Sequence, residues 1–250
     1  MDDAQLLRYS RQILLPQIDV EGQERLMAAT VMIVGLGGLG SPAAMYLAAA
    51  GVGRLVLNDF DRVDLSNLQR QILHSTPSIG ETKTRSAQKT LEQLNPDTAL
   101  SLLDGVLGDE DLSQAIAMAD VVLDCSDNLA TRFAVNAACV RAVKPLVSGA
   151  VIRFEGQLAV FTPGRHESPC YNCLYDREDE PGESCTQTGV IAPLPGIIGS
   201  MQALEAIKLL VGAGPVQAGW VSFFDALTFD WRRIRLSRNP VCPTCGTNTP

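Results

Sequence analysis

Val31-Met32-Ile33-Val34-Gly35-Leu36-Gly37-Gly38-Leu39-Gly40-Ser41-Pro42 decides how the rest of the chain is read. Four consecutive apolar residues suit a strand buried on both faces. Gly35, Gly37 and Gly40 then fit G-x-G-x-x-G, with Gly38 a further glycine, between that strand and a segment punctuated as a helix start. Ser41 is the expected N-cap, Pro42 the first helical position and Gly51 the stop of a helix over 41–50. Such a turn brings the backbone close to a phosphate and aims helix amides at it. A purely structural glycine turn is the bland alternative. Asp59, 24 residues beyond Gly35, weighs against it, because a carboxylate at the end of a second strand over 55–58 can accept both ribose hydroxyls.

Outward from this unit, apolar runs alternate with helical periodicity, which is an α/β pattern. A helix is expected over 82–94, with Ala87, Leu91 and Leu94 on one face and Asn95-Pro96 ending it. Val121-Val122-Leu123 continues into Asp124-Cys125-Ser126-Asp127-Asn128, polar residues at a strand end where open α/β sheets bind ligands. A helical segment over 133–143 and strands over 145–152 and 157–161 follow, then a long irregular stretch over 162–188. Ser200 is read as the cap of a helix running to Val211 and ended by Gly212. The expected fold is α/β: a Rossmann-like, mostly parallel sheet flanked by helices and continuing into further strands. One domain is expected, with an N-terminal helical arm (1–30), a nucleotide-binding core (31–160), a long crossover-type loop (162–190) and a metal-bound tail (240–250).

The chain has 250 residues, 46% apolar but only 5% aromatic, so its interior is aliphatic and disorder is excluded as the main state. Its formal net charge of −8 argues against sequence-independent binding of nucleic acid, which relies on neutralising phosphates. The start carries no secretory h-region, and the apolar stretches 43–52 and 190–198 are too short to cross a bilayer. A cytoplasmic protein with no membrane partner is therefore expected, and its seven cysteines are not a disulfide framework.

His74 and His166 are the only histidines, which disfavours an NAD-dependent oxidoreductase needing a proton donor. Asn67, Arg70, Gln71 and Lys83 instead supply the cations and amides suited to a triphosphate, although a solvated helix face would look similar. No G-x-x-x-x-G-K-[ST] loop is present. Asp127 is a candidate Mg²⁺ ligand or, alternatively, a surface turn residue. Cys170-x-x-Cys173 and Cys242-x-x-Cys245 can close one tetrahedral structural zinc, with redox-active dithiols as the lesser reading. Cys125 and Cys139 read as small core residues, whereas Cys185, in polar loop, is a candidate reactive thiol.

Taken together these residues resemble the bacterial branch of the ubiquitin-activating enzyme superfamily. The resemblance runs along the chain through Arg8-Tyr9-Ser10-Arg11-Gln12, the 35–40 loop, Asp59-Phe60-Asp61, Ser66-Asn67-Leu68-Gln69-Arg70-Gln71, Lys83, residues 124–128, both cysteine pairs and residues 202–208. Within that superfamily it is similar to the members that serve molybdopterin synthesis, with the thiazole (thiamine) members next. Residues 146–150, 155–157 and 238–242 favour the former.

The resemblance implies a reaction: the C-terminal Gly-Gly carboxylate of a ubiquitin-like sulfur carrier attacks ATP, giving carrier acyl-adenylate and pyrophosphate. It implies that Gly35, Gly37, Gly38, Gly40, Asp59, Asp61, residues 66–71, Lys83, Asp127 and Asn128 hold the nucleotide. Lys83 and Arg70 would neutralise phosphate charge, and Asp127 would hold Mg²⁺. It further implies a homodimer in which Arg11 enters the partner's site, a Cys185 that some members join covalently to the carrier, and an external sulfur donor such as a cysteine desulfurase. A noncatalytic zinc-stabilised dimer that merely docks a carrier is the competing reading outside enzymology.

Overall fold

The computed structural model describes residues 1–165, 168–176, 189–215 and 218–246. Along β1 (Thr30–Val34), side chains alternate between two hydrophobic layers, with Val31 and Ile33 in one and Met32 and Val34 in the other. Burial on both faces explains why the run shows no polar alternation. β1 is flanked by β2 (Arg54–Asp59) and β4 (Val121–Asp124), both parallel to it. β3 (Ala99–Asp104) extends the sheet beyond β2, and β5 (Leu146–Ile152) extends it beyond β4, again in parallel. The sheet then turns antiparallel through β6 (Glu155–Phe161), β7 (Trp220–Asp225) and β8 (Asp230–Arg235). Among the described residues the eight strands lie in the order β3-β2-β1-β4-β5-β6-β7-β8, the helix-flanked, mostly parallel sheet continuing into further strands that the sequence led us to expect.

Helices α1 (Asp3–Ile13) and α2 (Asp19–Ala28) precede the sheet. One face is covered by α3 (Gly40–Ala49), α4 (Lys83–Leu94) and α7 (Pro193–Val211), the other by α5 (Asp109–Met118) and α6 (Leu129–Arg141). Asn95 ends α4 as expected, but Leu94 is exposed while Ala87 and Leu91 are fully buried. Residue 94 lies at the fraying last turn, beyond the reach of the sheet.

Two helix starts differ from the sequence reading. Ser41 lies inside the first turn of α3, with Leu39 at the N-cap and no side chain capping the amides. The helix terminus is thus left open toward the glycine loop. Ser200 sits in the middle of α7, its Oγ donating to the Gly196 carbonyl at 2.6 Å. Pro193 and Pro195 resemble breakers in sequence, yet proline is tolerated in a first turn, where its missing N–H would be unsatisfied anyway. The helix therefore runs 19 residues and is long and apolar enough to cross a bilayer by length and composition. In this fold it is a core helix: Gln202 is fully buried and donates to the carbonyls of Asp124 and Val147 at 2.8 and 3.1 Å.

Candidate functional site

The chain crosses from one half of the sheet to the other between β1 and β4, and ligands of open α/β sheets bind at such switch points, beyond the carboxyl ends of the strands. Here a cleft of about 320 Å³ opens, lined by the glycine loop, the ends of β2 and β4, the first turns of α4 and α6, and Arg70 and Gln71.

Packing dictates the glycines at both ends of the loop. Gly35 has φ +93°, and a Cβ there would lie 2.7 Å from the Cys125 carbonyl oxygen. At Gly40 it would lie 1.9 Å from the Gly35 oxygen. Gly37 differs, since the nearest atom to its Cβ position belongs to Gln71 at 3.5 Å, an ordinary contact; that face looks into the cleft. The amides of Gly37 and Gly38 have no acceptor among the described residues.

Asp59, at the end of β2, is almost buried. Its Oδ2 accepts from the Leu36 N–H at 2.6 Å and its Oδ1 from the Asp61 N–H at 2.8 Å. Burial pushes its carboxyl above the usual range, and Lys83 is the strongest opposing influence. Thr82 caps α4, placing Lys83 at the first helical position with its Nζ 2.8 Å from Asp61 Oδ2 and 3.9 Å from Asp59 Oδ1. Arg70 is steadied by Asn67, whose Oδ1 accepts from Nη2 at 3.0 Å, and by the Ser66 carbonyl. Gln71 is buried with its Oε1 unpartnered, an acceptor waiting for a donor.

The two aspartates after β4 do different things. Asp124 is saturated: Ser126 and Ser148 hydroxyls donate to it, and Arg132 lies 3.6 Å away. Asp127 is exposed on the cleft wall and has no hydrogen bond or ion pair among the described residues. A free carboxylate beside unpaired donors fits Mg²⁺, which takes one or two carboxylates together with phosphate oxygens. Asn128 caps α6, its Oδ1 accepting from the Thr131 N–H at 2.9 Å.

Of the residues expected at the site, the cleft is lined by Gly35, Gly37, Gly38, Asp59, Asp61, Arg70, Gln71, Lys83, Asp127 and Asn128. Gly40 only packs beneath it. Ser66, Asn67, Leu68 and Gln69 do not line it; Ser66 and Asn67 act by holding Arg70. Arg11 lies exposed in the last turn of α1, outside this chain's own cleft. Cys185 and His166 lie outside the described residues. Sequence reasoning missed the apolar wall of Val106, Leu107, Leu112, Ala134 and Val135, and also Arg132, which donates to the carbonyls of Ser126 and Gly149. An arginine within the otherwise apolar stretch of α6 was the available signal for the latter.

The four expected metal cysteines do converge. Cys170, Cys173, Cys242 and Cys245 place all their Sγ atoms within 4.8 Å of one another, with 3.7 Å between Cys170 and Cys242 and 3.5 Å between Cys173 and Cys245. Tetrahedral Zn–S bonds of about 2.3 Å require sulfur separations of about 3.8 Å, so the cluster could hold a metal such as zinc. The hydrogen bond from Cys170 pulls the Cys173 thiol down, while that same bond and burial push Cys170 up. Cys125 and Cys139 are buried, and burial raises both thiols far above their ordinary value.

The profile of the ThiF family matches residues 9–244, nearly the whole chain. The chain belongs to the ThiF family. Over 246 residues it is 50% identical to the molybdopterin-synthase adenylyltransferase of Escherichia coli K12, covering 98% of each chain. It is 51% identical over 246 residues to the sulfur carrier protein ThiS adenylyltransferase of the same strain, covering 98% of this chain and 97% of the other. Among solved structures it is similar to E. coli MccB bound to MccA-N7isoASN, with a TM-score of 0.83 and 25% identity over 96% of this chain and 75% of that one.

Proposed function

We propose that this ThiF-family protein is an adenylyltransferase that activates the C-terminal Gly-Gly carboxylate of a ubiquitin-like sulfur carrier, the small subunit of molybdopterin synthase. One observation carries the reading. Open loop amides, two fixed cations and a free carboxylate converge in a single cleft, in a chain about half identical along its length to a molybdopterin-synthase adenylyltransferase and to a sulfur carrier protein ThiS adenylyltransferase.

The chemistry suits this inventory. A terminal carboxylate with pKa near 3.5 is ionised at neutral pH, so no general base is needed. One of its oxygens forms the new bond to the α-phosphorus, and the bond to the bridging oxygen breaks with its electrons leaving on pyrophosphate. The site must supply positive charge as the phosphates separate. Lys83 and Arg70 bring that charge, the Gly37 and Gly38 amides hold phosphate oxygens, and Asp59 accepts the ribose hydroxyls. Asp127 would hold Mg²⁺, which when bound neutralises phosphate charge. The cysteine cluster would hold a structural zinc with no open position, tying residues 170–173 to 242–245.

The remaining parts of the reading are a cytoplasmic homodimer with Arg11 reaching the partner's site, and a separate sulfur donor such as a cysteine desulfurase. The thiazole-pathway carrier is the second substrate reading, favoured by the 51% identity to the ThiS enzyme. Carrier-dependent ATP–pyrophosphate exchange, run with both carriers with and without Gly-Gly, tests the proposal. Exchange with the intact molybdopterin carrier supports it, preference for the thiazole carrier moves the pathway, and no exchange with either overturns it.

A further inference from the structure

His74 takes no place in the mechanism above, yet it is buried directly beneath the glycine loop. Its Nε2 lies 2.9 Å from the Leu36 carbonyl oxygen, and its Nδ1 lies 2.9 Å from Ser86 Oγ, one turn beyond Lys83 on α4. A carbonyl can only accept, so Nε2 carries the proton and donates to Leu36. Nδ1 then lies against Ser86 Oγ, whose own hydroxyl donates to Ser78 Oγ at 3.0 Å. The Nε2–H bond to the Leu36 carbonyl therefore fixes the tautomer and the orientation of the ring.

Leu36 is the residue between the first two glycines of the loop. Its N–H is fixed by Asp59 and its carbonyl by His74, with Ser41 Oγ a distant 3.5 Å away. The peptide from Leu36 to Gly37 is planar and trans, so its carbonyl and the Gly37 N–H point to opposite sides. His74 draws the carbonyl away from the cleft, on a side where neither Leu36 nor His74 lines it. The Gly37 N–H is consequently turned toward the cleft, where it has no acceptor among the described residues.

We infer that His74 is a positioning residue for phosphate binding: by holding the Leu36 carbonyl it sets the plane of the 36–37 peptide and so presents the Gly37 amide to the ATP phosphates. The inference rests on the adenylation reading and adds a residue to it. Its influence falls mainly on the phosphates, because the ring bonds the Leu36 carbonyl and makes no hydrogen bond to the apolar wall or to Asp59, which would take the nucleoside.

The test compares binding of ATP and of adenosine to the wild type, His74→Phe, His74→Asn and His74→Gln by calorimetry, with melting temperatures alongside. Phe removes both polar contacts, and Asn retains a polar atom only near Ser86. The Gln amide nitrogen reaches about where Nε2 sits. Phe and Asn should weaken ATP binding about tenfold, as befits one amide bond to a charged phosphate, and leave adenosine binding within twofold. Gln should recover most of the ATP affinity. If His74→Phe does not fold, Ser86→Ala, which frees the ring to turn, should shift the ATP-to-adenosine ratio in the same direction by a smaller amount. Equal weakening of both ligands, or an unchanged ATP affinity in the folded Asn and Phe variants, overturns the inference. Failure of the wild type to bind ATP instead overturns the adenylation reading itself, so the two failures are distinguishable.

Discussion

Replacing Lys83 by methionine keeps the length and apolar stem of the side chain and removes a single charge. That charge lies 3.9 Å from Asp59 Oδ1, and both side chains are 6% exposed. At an effective dielectric near 20, two such charges interact by about 4 kcal/mol. Burial already raises the Asp59 carboxyl, with Lys83 the largest influence lowering it. Its loss raises the Asp59 carboxyl further, so that at a given pH more of the population is protonated and less able to accept both the Leu36 amide and a ribose hydroxyl. The sign follows from linkage. A carboxyl whose folded pKa lies above its unfolded 3.8 holds its proton more tightly when folded, so stability is full at acid pH and falls as pH rises toward the folded pKa. ATP affinity in Lys83→Met should therefore climb with rising pH more steeply than that of the wild type, and its melting temperature should fall more as pH rises above 3.8. Exchange at pH 7 should fall on the order of 10³-fold, since a transition-state cation is also gone. Exchange within tenfold of wild type together with a flat affinity profile would refute the electrostatic account of Asp59 and Lys83.

Arg11→Ala and Asp127→Asn should each abolish exchange, yet an equal mixture of the two should recover roughly a quarter of wild-type activity, because half the dimers then carry one intact composite site; no recovery on remixing removes Arg11 from the partner's cleft. Cys242→Ser should release one zinc per chain, measured by atomic emission, and lower the melting temperature by at least about 5 °C. Burial holds the His74 imidazole below its ordinary 6.5, so the folded state binds that proton less readily than the unfolded chain does. Stability should accordingly be full above pH 6.5 and drop as pH falls below it, and the drop should be smaller in His74→Gln, read by denaturant melts at pH 5 and 7.

Local patterns made much of this protein legible. The 31–42 stretch specified a strand, a turn and a helix, and the two cysteine pairs specified a cluster, because each depends on residue types at short spacing. Elements without such signals escaped notice. β8 is fully exposed along its length, and β3 is at most partly buried, so neither shows the apolar run of a central strand. The start of α7 was hidden because Pro193 and Pro195 read as breakers until the chain placed them in a first turn. At the site, the sequence pointed to Asp59, Lys83 and Asp127 but could not separate lining residues from supporting ones. Ser66 and Asn67 belong to the same motif as Arg70, and only geometry shows that they hold it rather than face the cleft. Arg132 stood out only as a charge within α6, and His74 was out of reach, because its role depends on a carbonyl 38 residues away in the chain.

The central claim is that the carrier's own terminal carboxylate receives the adenylyl group. Intact-mass measurement of the molybdopterin carrier, after incubation with this protein and Mg·ATP in the absence of a sulfur donor, tests it most directly. The account predicts a carrier heavier by one adenylyl group, with one pyrophosphate released for each modified carrier and no change when Gly-Gly is removed. An unmodified carrier accompanied by ADP and phosphate, or an adenylyl group that persists on the carrier lacking Gly-Gly, would contradict it.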